Sequence, residues 1–197
     1  MSGFAASLAQ ALAANGRAVV VAIAHGQGSV PREPGAWMIV TAASQAGTIG
    51  GGHLEHEAAR LAREALGAAT PPATWLVRFP LAARLGQCCG GVATVAFAVV
   101  DAADASPRSA PGAPPPEGAG DLGAAHRSPP WLDVAQACER TSADFALVHR
   151  LGADRDRAQR LVVTGDDSRG SLGDDALDSA AVVAARARLA PGGTTGL

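Results

Sequence analysis

Residues 38–66, MIVTAASQAGTIGGGHLEHEAARLAREAL, return without a gap as residues 161–189, LVVTGDDSRGSLGDDALDSAAVVAARARL. Identities fall at Val40/Val163, Thr41/Thr164, Gly47/Gly170, Gly50/Gly173, Leu54/Leu177, Ala58/Ala181, Ala62/Ala185, Arg63/Arg186 and Leu66/Leu189. The alanine matches are cheap in so alanine-rich a chain; the threonine, glycine and leucine matches are not. Each copy opens on a β-branched apolar run and turns through glycines. In the first, Leu54, Ala58, Leu61, Ala62, Ala65 and Leu66 then follow at helical spacing. The pattern predicts a strand–turn–helix unit used twice. In the second copy GGGHLE has become GDDALD, and the Gly/Pro-rich loop upstream has become LGADRDRAQR. A duplicate that keeps the packing residues and drops the polar ones marks which first-copy residues packing alone does not require.

Working outward, FAASLAQALAAN (4–15) reads as an amphipathic helix stopped at Gly16. AVVVAIA (18–24) is a continuous β-branched run that fits a buried strand. Further strands are expected at 37–41, 74–79, 92–100, 145–150 and 160–164, with helices at 131–140 and 176–189. Residues 102–130 are Pro/Ala/Gly-rich and read as a disordered or extended linker. The expected division is a module at 1–101, the linker, and a second, degenerate repeat at 131–197 packing on the first. The fold class is α/β: a mixed sheet flanked by helices, with an antiparallel pair between 18–24 and 37–41.

Composition bounds the function. Of 197 residues, 48 % are hydrophobic and only 4 % aromatic, so the core is expected from Val, Leu, Ile and Ala. A net charge of −2 with scattered arginines argues against a nucleic-acid binder. The opening MSGFAASLAQALAANGR lacks the basic start and apolar run of a secretory signal. No apolar run approaches the ~20 residues needed to cross a bilayer. Three cysteines, two of them adjacent, make no disulfide framework. The expectation is a soluble protein of a reducing cytoplasm.

Three motifs could carry chemistry. GQGSVPREPG (26–35) combines glycines that admit close backbone approach with Arg32, a planar fork suited to phosphate or carboxylate; an ordinary loop with a surface arginine is the plain alternative. It is not a dinucleotide fingerprint, because Pro31 and a second strand follow. In GTIGGGHLE (47–55), Gly50, Gly51 and Gly52 stand at an expected helix N-terminus, where bare N–H groups and the helix dipole favour an anion. His53 and Glu55 follow at once and are replaced in the second copy, whereas His56 and Glu57 read as a solvated first turn. GQCCGG (86–91) holds two neighbouring thiols between glycines. Adjacent cysteines lack the spacing of structural zinc sites, and a vicinal disulfide would be strained. A thiolate that ligates a soft metal, one that passes a sulfur atom, and a nucleophile all remain open. Cys138, on an expected helix, reads as a small core residue.

In this order, GSVPREPGAWM (28–38), GTIGGGHLE (47–55) and LGQCCGG (85–91) resemble the XdhC/CoxI family, accessory factors for molybdenum hydroxylases such as xanthine dehydrogenase. The resemblance implies a maturation factor rather than an enzyme. Such a factor binds the molybdenum cofactor (molybdopterin) as cargo, protects it, assists its sulfuration and delivers it. It implies cofactor contacts from Ser29, Arg32, Gly50, Gly51, Gly52, His53, Glu55, Gln87, Cys88, Cys89 and Gly90, with Cys88 and Cys89 towards the metal. It implies as partners the molybdenum-binding subunit of xanthine dehydrogenase and a cysteine desulfurase, and it allows a homodimer. Members commonly continue into a Rossmann-like half with a glycine-rich turn; this sequence closes on PGGTTGL and reads as a chain without that half. The alternative class is a cysteine-dependent sulfurtransferase or hydrolase with Cys88 as nucleophile and His53 as base.

Overall fold

The structure, a computed structural model, describes residues 3–82, 90–102, 129–151 and 159–190. Its elements run α1 (Phe4–Asn15), β1 (Arg17–Gln27), β2 (Trp37–Val40), β3 (Gln45–Gly47), α2 (Gly52–Gly67), β4 (Thr74–Pro80) and β5 (Val92–Asp101). They continue as α3 (Pro130–Thr141), β6 (Ala146–His149), β7 (Arg160–Val163), β8 (Ser168–Ser171) and α4 (Asp175–Leu189). The first sheet has the order β3-β2-β1-β5-β4 and the second the order β6-β7-β8.

The α/β class and the sheet-flanking helices agree with the sequence reading, but the strands do not share one mixed sheet. Every pairing among the described residues is antiparallel, and the two halves carry separate sheets. The physical reason is the short connections from β1 to β2, β2 to β3, β6 to β7 and β7 to β8, since a parallel neighbour needs a crossover of a dozen or more residues. The tiny strands β3 and β8 were read only as turns. They are mostly exposed and too short to show a period of two.

The repeat is real in three dimensions and larger than its sequence trace. Met38 pairs with Gly47 and Val40 with Gln45; at the matching positions Leu161 pairs with Gly170 and Val163 with Ser168. Upstream, β1 meets β2 as Val19↔Val40 and Val21↔Met38, and β6 meets β7 as Ala146↔Val163 and Val148↔Leu161. Helices α1 and α3 stand before these strands, each ended by a left-handed residue, Gly16 (φ 71°) and Ser142 (φ 54°). Among the described residues the unit is therefore helix, three strands, helix, used twice, and the β4–β5 hairpin follows the first.

Burial explains why β1 reads as unbroken apolar sequence: it is covered on both faces. Val19, Val21 and Ile23 pack with Leu54, Ala58 and Ala62 of α2 and with Val95 and Phe97 of β5. Ala18 and Val20 face a second cluster with Leu8 and Leu12 of α1, Leu132 and Ala135 of α3, and Val162 of β7. So α1 and α3 lie between the sheets, α2 covers the outer face of the first sheet, and α4 that of the second. Buried Arg160 ties the halves, donating to the Val99 carbonyl with its guanidinium 5.9 Å from the centre of the Trp131 ring. Cys138 is buried in α3, as expected of a core residue. Among the described residues, no helix is long and apolar enough to cross a membrane.

Candidate functional site

Antiparallel order brings the motifs together. The end of β1 pairs with the start of β5, from Ile23↔Val95 past an irregularity to Gln27↔Val92. The start of β2 lies beside the end of β3, through Met38↔Gly47. Hence the loop after β1, the glycines after β3 and the motif before β5 must all emerge at one end of the first sheet. Irregularities of this kind favour sheet rims and sites, because they re-aim the strand.

Contacts between the loops are close. The Gly91 N–H donates to the Ser29 carbonyl at 3.1 Å, and the Gly91 carbonyl accepts from the Leu81 N–H at 3.0 Å. A Cβ on buried Gly91 would lie 2.3 Å from the Ser29 carbonyl oxygen and 2.6 Å from that of Gln27. Only glycine lets these backbones touch. A Cβ on Gly50 would lie 2.5 Å from Pro31 Cβ and 3.3 Å from Arg32 Cγ. The end of GQCCGG thus packs on GQGS, and PR packs on the triple glycine. Ser29, Arg32, Gly52, His53 and Gly90 are exposed on these loops. Gln87, Cys88 and Cys89 lie outside the described residues.

The triple glycine begins α2 as expected, with Gly51 at the N-cap and positive φ at Gly50, Gly51 and Gly52 of 123°, 71° and 63°. The N–H groups of Gly50 and Gly51, however, already have acceptors. Glu55 Oε2 accepts from Gly51 N at 3.1 Å and from Ile49 N at 3.3 Å, and the Thr48 hydroxyl accepts from Gly50 N at 3.2 Å. The same carboxylate accepts from Thr48 Oγ1 at 2.5 Å and from Gln45 Nε2 at 3.1 Å. A side-chain anion one turn into the helix holds the loop that precedes it. Gly52, at the first position of α2, and Arg32 are exposed, as are Gln45 and Thr48.

The second unit repeats that lock. Asp178, opposite Glu55 in the repeat, accepts from Leu172 N at 2.6 Å, and the Ser171 hydroxyl accepts from Gly173 N at 2.8 Å. Replacing Glu by Asp in GDDALD therefore keeps the acid and its task while losing His53 and two glycines. Thr48 and Gln45, which sequence reasoning passed over, serve the same lock. The retained acid at position 178 was the available signal. Among the described residues, no group of three or more His, Cys, Asp or Glu gathers around a common point.

With this geometry in place, comparison with known proteins gives two findings. Residues 11–80 match the XdhC and CoxI family, which bears out the resemblance carried by the motifs. That span contains the first two motif loops, α2 and most of the first sheet. No curated protein matches the sequence. Among solved structures, the fold is similar to a xanthine dehydrogenase from Bacillus halodurans, with a TM-score of 0.53 at 16 % identity. The similarity covers 86 % of this chain and 45 % of that one, so this chain spans less than half of its structural relative.

Proposed function

We propose that this chain is an accessory factor in the maturation of xanthine dehydrogenase or a related molybdenum hydroxylase, carrying the molybdenum cofactor as cargo. The observation that carries the reading is the convergence of the three motif loops, Gly91 on Ser29 and Gly50 on Pro31 and Arg32. Motifs that are merely structural have no need to meet at one sheet end. The family match over residues 11–80 supports the same role.

On this reading the cargo's phosphate is met by the exposed Arg32 guanidinium and the backbone at Gly52, with Ser29 and His53 beside them. Glu55 acts through the loop, presetting Gly50 and Gly51 rather than meeting the anion, since two like charges would repel. Cys88 and Cys89 supply thiolate towards molybdenum, a soft pairing. A carrier must also release, and a loop site on a rigid sheet end allows exchange without disturbing the core. Sulfuration with a cysteine desulfurase and delivery to the hydroxylase's molybdenum-binding subunit complete the proposal.

The test is anaerobic cofactor binding by wild type, Cys88→Ala and Cys89→Ala, with molybdenum and pterin quantified per chain. Near-stoichiometric loading that collapses in one cysteine variant is the expected result. A wild-type chain that takes up neither molybdenum nor pterin sinks the proposal. Catalytic turnover of a thiosulfate- or amide-type substrate, abolished in Cys88→Ala and His53→Ala, would instead favour a cysteine-dependent enzyme.

A further inference from the structure

On the face of the first sheet turned away from α2, three polar side chains fall into one row. Val19, Val21 and Ile23 pack towards α2, and plain alternation would send residue 25 the same way. Between Ile23 and His25, however, the register against β5 slips, so that Ile23 pairs with Val95 but His25 with Thr94. Thr94 stands between Ala93 and Val95, both buried in the cluster against α2, and so belongs to the opposite face. His25 goes with it. Beyond Thr94 comes Arg78, which pairs with it from between Val77 and Phe79 of that same cluster. The slip thus completes a row His25–Thr94–Arg78 across β1, β5 and β4, its two basic residues two strand spacings, about 10 Å, apart. Irregularities beside sites re-aim side chains in this way.

His25 and Arg78 are exposed and Thr94 is half-buried; among the described residues neither basic group has a hydrogen-bond or ion-pair partner. The acid of these three strands, Asp101, lies at the far end of β5 and is engaged by Arg17. On the next row Ala22 and Ala96 present only methyl groups between Trp37 and Leu76, and Leu76 is 48 % exposed. One row further on, Val20 is buried against α1 and α3. A hydroxyl flanked by two basic groups, with no acid on the strands beside it, matches an oxyanion: arginine offers a planar fork, threonine and histidine single donors. We propose that this row is an oxyanion seat that takes the phosphate group of a small ligand. A chain of net charge −2 exerts no general pull on phosphate, so the attraction is local. The seat is built on three strands rather than on the loops of Arg32 and Gly52, and it stands apart from the cargo reading. Its phosphate belongs either to a nucleotide or to the cargo itself, and the chemistry of recognition is the same for both.

The experiment titrates the full chain with inorganic pyrophosphate at low ionic strength, by calorimetry and through the imidazole proton resonances of its 5 histidines. The resonance of His25 is assigned by its loss in His25→Gln. Saturable binding that shifts this resonance is expected. Arg78→Gln should weaken binding by about tenfold or more, because a charge-assisted hydrogen bond is lost, and His25→Gln by a smaller factor. Arg63→Gln, which removes an exposed arginine on α2, should leave binding unchanged, and all variants are checked for native circular dichroism. Competition by AMP would name a nucleotide as the source of the phosphate, and competition by the molybdenum cofactor would name the cargo. Absence of saturable binding, equal weakening by Arg78→Gln and Arg63→Gln, or binding that moves His53 but not His25 overturns the proposal. So does an Arg78→Gln chain that loses stability yet keeps its pyrophosphate, which would make the row a contact of the chain with itself.

Discussion

Convergence of the motif loops can be tested without any ligand, through Gly50. At φ +123° an L-residue is strained, which costs about 1–3 kcal/mol. A Cβ there would also sit 2.5 Å from Pro31 Cβ. Carbon atoms prefer about 3.5–4.0 Å, so the Pro31 loop must retreat by roughly 1 Å. Overpacking of that kind costs about 1–3 kcal/mol, which brings Gly50→Ala to about 2–6 kcal/mol. Gly51→Ala is the control: φ is +71° with ψ −171°, but nothing lies within 4 Å of the new Cβ, so it bears the strain alone. Pro31→Gly removes the opposing Cβ. In a double-mutant cycle, Gly50→Ala and Pro31→Gly should couple by about 1–3 kcal/mol, whereas distant sites add within about 0.5 kcal/mol. Urea unfolding followed by tryptophan fluorescence supplies the four stabilities, each midpoint moving in proportion to the change in free energy. Additivity within error would mean that the two loops do not meet, and the site as described would fall with it.

Gly91→Ala should be worse than Gly90→Ala, because its Cβ meets fixed carbonyl oxygens at 2.3 and 2.6 Å while Gly90 has nothing within 4 Å; cofactor loading and urea midpoints both report it. Glu55→Ala and Asp178→Ala should each cost about 1–3 kcal/mol, since each leaves loop N–H groups without their acceptor; a midpoint unmoved by either removes the lock. His149 makes stability depend on pH. Burial foremost, then the charge of Arg160, holds its pKa at about 3 against an ordinary 6.5. The unfolded chain therefore takes up a proton on this group between pH 6.5 and pH 3 while the folded chain does not. Its contribution is whole above about 6.5 and is lost as the pH falls, by about 2 kcal/mol at pH 5. His149→Gln should flatten the stability difference between pH 7.5 and pH 5 by about that amount; an unchanged slope would show that His149 is charged in the folded state.

Most of the helices and the longer strands were legible because their signals are local. Gly16 ends α1 where expected, and the β-branched run of β1 announces a strand covered on both faces. The duplication was also legible, since a unit used twice leaves the same glycines and leucines in the same order. Less legible were the strands of three or four residues and the split into two sheets, because pairing partners are chosen by connection length and available edges rather than by composition. Glu55 illustrates the limit within the site. Beside three glycines and a histidine it read as a cofactor contact, yet its carboxylate is engaged by the loop that it follows. Nothing in the letters GGGHLE says whether an acid faces a ligand or its own backbone.

The sequence by itself determined the repeated unit, the positions of glycine that the backbone requires, and a set of three motifs that resemble one family. Tertiary structure alone decided that these motifs share one end of one sheet, and that the two units carry separate antiparallel sheets. The reason is physical: propensity and periodicity act over a few residues, whereas the meeting of Gly91 with Ser29 and of Gly50 with Pro31 depends on antiparallel strands far apart in the chain.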